Sequence, residues 1–226
     1  MERSIHILPG WWRQVNSGMM GSQKHERGRG RPRAFNEIEA LDNAMGLFWR
    51  MGYEGASMEA LTSVMGISRS SLYQSFGDKK TLFLRAVEHY ALTRLAPLLD
   101  ALDKGGDFKT DLAAFIEAVA RHATADPDRL GCLVASVLSD AAGSDPRLRV
   151  ELGNRFAAVE ARIAVRIKRA KKVGDFPLDE DTNAMAAVIG AIARGMMLSG
   201  RAGVPAHKLR ATGAAAVAMV ADGAVM

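Results

Sequence analysis

Helical periodicity with regular punctuation constrains this chain more than any other feature. From Asn36 onward, apolar residues recur at helical spacing, and each run stops at a cluster of Gly, Pro or Asp. The later breaks are "DKGGD" at 103–107, "ADPDRLG" at 125–131, "GSDP" at 143–146, "GDFP" at 174–177 and "AGVP" at 202–205. They delimit helical patterns at about 108–125, 130–142, 146–173, 179–201 and 206–222. Upstream, Asn36 caps a helix with Ile38, Leu41, Met45 and Phe48 on one face, and Gly52 stops it. Ser57 caps a short second helix with Leu61, Val64 and Met65 inward, and Gly66 turns the chain. Ser68 caps a third, with Leu72 inward, closed by Phe76 and Gly77. Asp78 caps a fourth that runs through Leu82, Phe83, Ala86, Val87 and Tyr90 to about Leu102. No segment alternates as a strand does, β-branched runs are few, and no fixed-period repeat is present. The expected fold is all-α, with about nine helices.

Charge is distributed unevenly. The net charge is +5, but "KHERGRGRPR" at 24–33 alone carries a local +4 and leaves the rest near +1. A basic arm on a nearly neutral body points to an anionic polymer, nucleic acid before membrane. Residues 1–34 lack periodicity and read as a flexible arm, in which Met19 and Met20 are alternative starts. Cys132 is the single cysteine and has no internal partner, which fits a reducing compartment. The longest apolar run, around Ala184 to Ala193, is stopped by Arg194, and Pro9 and Gly10 spoil any signal-peptide core. The expectation is a cytoplasmic protein with no membrane partner.

The stretch "MGISRSSLYQSFGDKKTLF" at 65–83 carries the chemistry. Two short helices joined by a Gly-containing turn describe a helix-turn-helix, whose second helix enters the major groove of DNA. Its outward residues are Arg69, Ser70, Ser71 and Gln74. Arg suits guanine bidentately, Gln suits adenine, and Ser suits either base or phosphate. Tyr73 offers a hydroxyl to phosphate while its ring packs. Lys79 and Lys80 open the next helix, where the dipole disfavours cations. A DNA phosphate there would meet backbone N–H groups, dipole and ammonium charge together. Arg29, Arg31 and Arg33 of "GRGRPR" are spaced to reach a narrow minor groove.

Residues 40–90, "ALDNAMGLFWRMGYEGASMEALTSVMGISRSSLYQSFGDKKTLFLRAVEHY", resemble the tetracycline-repressor (TetR) family of transcriptional regulators. The resemblance implies a three-helix DNA-binding domain at 35–82 and a linking fourth helix. It implies that Ser57 and Tyr73 touch phosphate, that the helix from Ser68 to Gln74 reads bases, and that Lys79 holds a phosphate. Lys80 departs from the family, which usually has Glu there; it either adds a phosphate contact or alters surface charge. "GCLVASVLSDAAGSDPRLR" and "AIARGMMLSGRAGVPAHKLR" are similar to segments of one regulator subgroup. They imply a helical effector-binding and dimerisation domain at 83–226, with the last two helices, about 179–201 and 206–222, forming a homodimer. Residues 184–200, apolar nearly all round, are compatible with burial on two sides.

The resemblance therefore implies a repressor that a small-molecule effector releases from a palindromic operator in double-stranded DNA. Phe115, His122, Cys132, Ser136, Met185 and Met196 lie on helices that could line the effector pocket. Cys132 reads as a small buried hydrophobe or a redox sensor, and "RIKRAKK" at 166–172 as a solvated helix end or a second basic patch. The alternative function is an architectural DNA-binding protein that uses the arm without base readout. The five histidines show no metal-ligand spacing, no phosphate loop follows a strand, and no nucleophile–base pair is visible. The expectation is accordingly no enzyme, no metal and no cofactor.

Overall fold

The computed structural model describes residues 35–128 and 130–221, which belong to one compact unit, Phe35–Met226. The basic arm, with Arg29, Arg31 and Arg33, lies outside the described residues. Among these residues the regular structure is all helical, in nine helices. They are α1 (Glu37–Gly55), α2 (Met58–Met65), α3 (Arg69–Phe76) and α4, which begins as Lys79–Tyr90. The α4 helix continues through a π turn (Ala91–Leu95), an α turn (Ala96–Leu99) and a 3₁₀ turn (Asp100–Asp103). Then come α5 (Phe108–Ala125), α6 (a π turn Val134–Leu138 followed by Ser139–Ala141), α7 (Pro146–Val173), α8 (Thr182–Arg201) and α9 (Ala206–Ala221).

The helix starts are capped as their sequences require. Asn36, Ser57, Ser68, Asp78, Asp107, Asp145 and Asp181 each accept a backbone N–H of the following turn. Gly52, at φ 75° and ψ 172°, interrupts α1 where the sequence placed a stop, and one further turn follows it. Gly66 takes φ 66° and joins α2 to α3.

Three expectations need correction. Ile38 is 70% exposed and Val64 38% exposed, because α1 turns Ala40, Ala44, Met45 and Phe48 inward and α2 turns Leu61 and Met65 inward. The pattern at 130–142 becomes helical only from Val134. The third concerns Thr182–Arg201, which is long and apolar enough by length and composition to cross a membrane, despite Arg194. Here that helix packs on α5 and α7, and Arg194 is ion-paired with Glu160 of α7 at 3.0 Å.

In the first half, α1 packs on α4 and α2 around Phe48, Tyr53 and Phe83; Phe83 lies 4.9 Å, ring to ring, from both of the others. In the second half, α5 packs on α9 and α8, and α8 on α7. Arg166 of "RIKRAKK" is buried and paired with Asp111, and Arg169 pairs with Asp103 at 3.1 Å. Lys171 donates to the carbonyls of Leu178 and Glu180. These contacts spend most of that run's charge on the fold, with Lys168 and Lys172 left exposed.

Candidate nucleic-acid interface

The α3 helix is eight residues long, which at 1.5 Å per residue is about 12 Å, close to the width of a major groove. Leu72 and Phe76 bury one side of it. Ser68, Arg69, Ser70, Tyr73 and Gln74 are exposed, and Ser71 is half-buried. Arg69 and Tyr73 are neighbours by their i, i+4 spacing, and Ser70 and Gln74 form the adjacent row by the same spacing. The Arg69 guanidinium lies 5.8 Å from the Tyr73 ring centre. This contact restricts the long arginine before any base is met. The Ser68 hydroxyl caps α3 by accepting the Ser71 N–H at 3.1 Å, and it sits 2.9 Å from the hydroxyls of both Ser70 and Ser71. Ser57 caps α2 by accepting the Ala60 N–H at 3.1 Å and is itself exposed.

Two basic residues hold this face in place. Arg85, which the sequence reading did not single out, donates to the Ser75 carbonyl at 2.6 Å and lies 4.6 Å over the Phe76 ring. It fastens the C-terminal end of α3 to α4. Lys79 donates to the Glu54 carbonyl at 3.2 Å, and its ammonium lies 4.8 Å over the Tyr53 ring. The side chain is thus held at the junction of α1 and α4 with donors to spare, since an ammonium has three. Lys80 is engaged differently from Lys79. Its ammonium is ion-paired with Asp145, the cap of α7, and that partner raises the lysine's pKa and lowers the aspartate's. The start of α4 therefore offers Lys79. The Asp78 carboxylate already serves it, accepting the N–H and hydroxyl of Thr81, both at 2.7 Å, and these bonds hold its pKa low.

Behind this surface lies an apolar cavity of about 60 Å³ between α4, α5, α6, α7 and α8. Phe115 and Cys132 line it. The other four expected pocket residues do not. On α8 the cavity face is Gly190, Ala193, Arg194 and Met197, at i, i+3, i+4 and i+7, so Met196 points elsewhere and packs near Gly213 of α9. Met185 lies a turn too early, and the Ser136 hydroxyl donates to its own helix at the Cys132 carbonyl, 2.5 Å away. Both π turns contribute, through Leu95 and through Val134 and Ala135. Burial pushes the Cys132 thiol pKa up, which favours the unreactive thiol form.

His122 takes part in a different cluster. It stacks on Trp49 of α1 with ring centres 6.3 Å apart, and its Nε2 lies 2.8 Å from the Tyr90 hydroxyl. The Trp49 indole donates to the Leu130 carbonyl at 3.2 Å, and Arg201 of α8 donates to the same oxygen at 3.1 Å. Trp49 and Tyr90 thus tie α1 and α4 to the segment that carries Cys132. The sequence reading missed Trp49, whose only signal was a large aromatic outside the regular apolar face of α1.

Burial lowers the His122 pKa, with the nearby Arg94 charge acting in the same direction. An unfolded histidine titrates near 6.5, so protons bind the unfolded chain first as pH falls. Stability present above about pH 6.5 is therefore lost below it, down to the folded pKa. Urea unfolding at pH 7.5 and 5.5 is expected to show this loss, and His122→Gln to reduce it.

Two family models match the chain. Residues 40–86 match "bacterial regulatory proteins, tetR family", and residues 109–216 match "tetracyclin repressor-like, C-terminal domain". The HTH-type transcriptional repressor BdcR of Escherichia coli K12 is 32% identical over 70% of this chain and 81% of its own. The HTH-type transcriptional repressor ComR of the same organism is 28% identical over 81% and 88%. Among solved structures, a cysteine mutant of the TetR family transcriptional regulator CifR, in complex with 26-bp double-strand operator DNA, superposes with a TM-score of 0.75. It is 32% identical over 83% of this chain and 98% of that one. The exposed face of α3, the two matched domains and these relatives agree: the chain belongs to the tetR family of bacterial regulatory proteins and is a sequence-specific DNA-binding transcriptional regulator.

Proposed function

We propose that the protein is a cytoplasmic, homodimeric repressor that reads a two-fold symmetric operator with α3 and leaves it when a small molecule enters the cavity. The observation that carries this reading is the braced, outward-facing set Arg69, Tyr73 and Gln74, with Lys79 held beside it. Arg69 and Gln74 would read base edges. Ser57, Tyr73 and Lys79 would hold phosphates and fix register, with Ser68, Ser70 and Ser71 at the entry of α3.

A dimer is supported by the outer faces of α8 and α9. Val188, Ala191, Gly195 and Leu198 recur along one exposed side of α8, and Ala211, Ala215, Ala218 and Met219 along α9. Such faces associate across a two-fold axis, and the operator's symmetry then mirrors the protein's. Effector control is supported by the cavity wall. Leu95, Leu98 and Leu99 belong to α4, the same helix whose start carries Lys79. A ligand that favours one setting of α4 lowers DNA affinity by the coupling energy, typically about 1–3 kcal/mol.

Anisotropy titration of a selected operator, with sedimentation of the complex, tests the reading. Two chains per duplex are expected, and Lys79→Ala is expected to weaken binding about equally for all sequences. One chain per duplex, or an unaltered affinity in that variant, would count against it.

A further inference from the structure

The cavity's chemistry narrows the class of effector. Its surface is almost wholly apolar, built from side chains such as Leu99, Phe115, Val134, Phe156 and Met197. Two cations border it, and both are already matched. Arg155 donates to Glu151 at 2.5 Å, one turn away on α7. Arg194 donates to Glu160 at 3.0 Å, and its guanidinium carbon lies over the Phe156 ring, 4.3 Å from the ring centre. The arginines thus present their aliphatic stems to the cavity while their charges are spent on carboxylates. The remaining titratable group, Cys132, is held as a neutral thiol by burial.

We propose that the cavity takes an uncharged, apolar small molecule and rejects organic acids and amines of the same size. This rests on the effector reading above and specifies the ligand. A carboxylate entering here would meet guanidinium charges already neutralised by Glu151 and Glu160, and would lose its hydration among apolar walls without full compensation. An amine would find no free carboxylate. Water needs two to four polar partners, and these walls offer almost none, so a hydrocarbon surface enters at no polar cost.

The test compares three molecules of one shape: toluene, benzoate and benzylamine, each added to the full-length protein during thermal unfolding. At ten times its Kd, toluene is expected to raise Tm by about 3 °C or more, and the two ions to leave it unchanged. Val159→Phe and Ala193→Leu fill the cavity from α7 and from α8, and each is expected to abolish the toluene shift. Glu160→Gln leaves Arg194 without a charged partner and is expected to create a benzoate shift that the parent lacks. If neither filling variant folds, the Glu160→Gln arm decides.

A benzoate or benzylamine shift in the parent that equals or exceeds that of toluene would overturn the ligand class while leaving an effector in place. So would a toluene shift that survives both filling variants, or no toluene shift at all. If toluene binds but operator affinity stays constant, the ligand class stands and effector-driven release fails.

Discussion

Asp111→Ala destabilises the protein by about 3–5 kcal/mol, because it leaves a buried guanidinium without its charge partner. Asp111 and Arg166 are 1% and 4% exposed, and Arg166 Nε donates to Asp111 Oδ2 at 3.0 Å. The pair also fixes the turn before α5. Arg166 donates to the Gly106 carbonyl at 3.1 Å, and the Gly106 N–H donates to Asp111 Oδ1 at 3.2 Å. Phe108 supports the same guanidinium from 5.5 Å. One substitution therefore unpairs a charge and loosens the entry of the helix that walls the cavity. Urea unfolding followed by circular dichroism measures the loss. The double variant Asp111→Leu with Arg166→Met should cost much less, since removing both charges removes the desolvation burden too. A single-variant loss below about 1 kcal/mol would show that the pair is not the buried clasp described.

The second large effect is expected at Gly200, where α8 crosses α5. A Cβ there would lie 2.4 Å from the Ala123 carbonyl oxygen and 2.9 Å from the Ala123 Cβ. The obstacle is backbone, so α8 itself must move. Gly200→Val should cost about 3 kcal/mol as an overpacking change. It should also weaken dimerisation, because it shifts the helix proposed to carry the interface. Gly153 in α7 is the control: a Cβ added there meets nothing within 4 Å. Gly153→Ala should instead stabilise the protein by about 0.5–1 kcal/mol through helix propensity. Thermal unfolding and analytical ultracentrifugation of the two variants read both effects.

Helix positions were legible because their signals are local. Asn36, Ser57, Ser68 and Asp78 mark starts through their own side-chain bonds, and the Gly and Pro clusters mark stops. The outward set on α3 was legible for the same reason, since Leu72 and Phe76 give the phase of an eight-residue helix. What escaped depends on contacts distant in sequence. Lys80 looks like a twin of Lys79 until Asp145, 65 positions on, is brought to it by the fold. Trp49 meets Leu130 across 81 positions. The cavity residues failed by phase: Met196 and Met197 are neighbours in sequence, but only Met197 lies on the cavity face of α8. The π turns shift that phase again within α4 and α6, and Pro97, which cannot donate a backbone hydrogen bond, was the one local hint of the first.

Base readout by the exposed face of α3 is the central claim, and selection from a random duplex library tests it most directly. The parent and Arg69→Ala are carried through the selection side by side at near-physiological salt, and the bound duplexes are sequenced. The account predicts a two-fold symmetric motif for the parent. For the variant it predicts a motif relaxed at one matching position in each half-site, with much of the nonspecific affinity kept. An identical motif from both proteins would contradict the assignment of Arg69, and no motif from the parent, with binding that vanishes as salt rises, would contradict base readout itself.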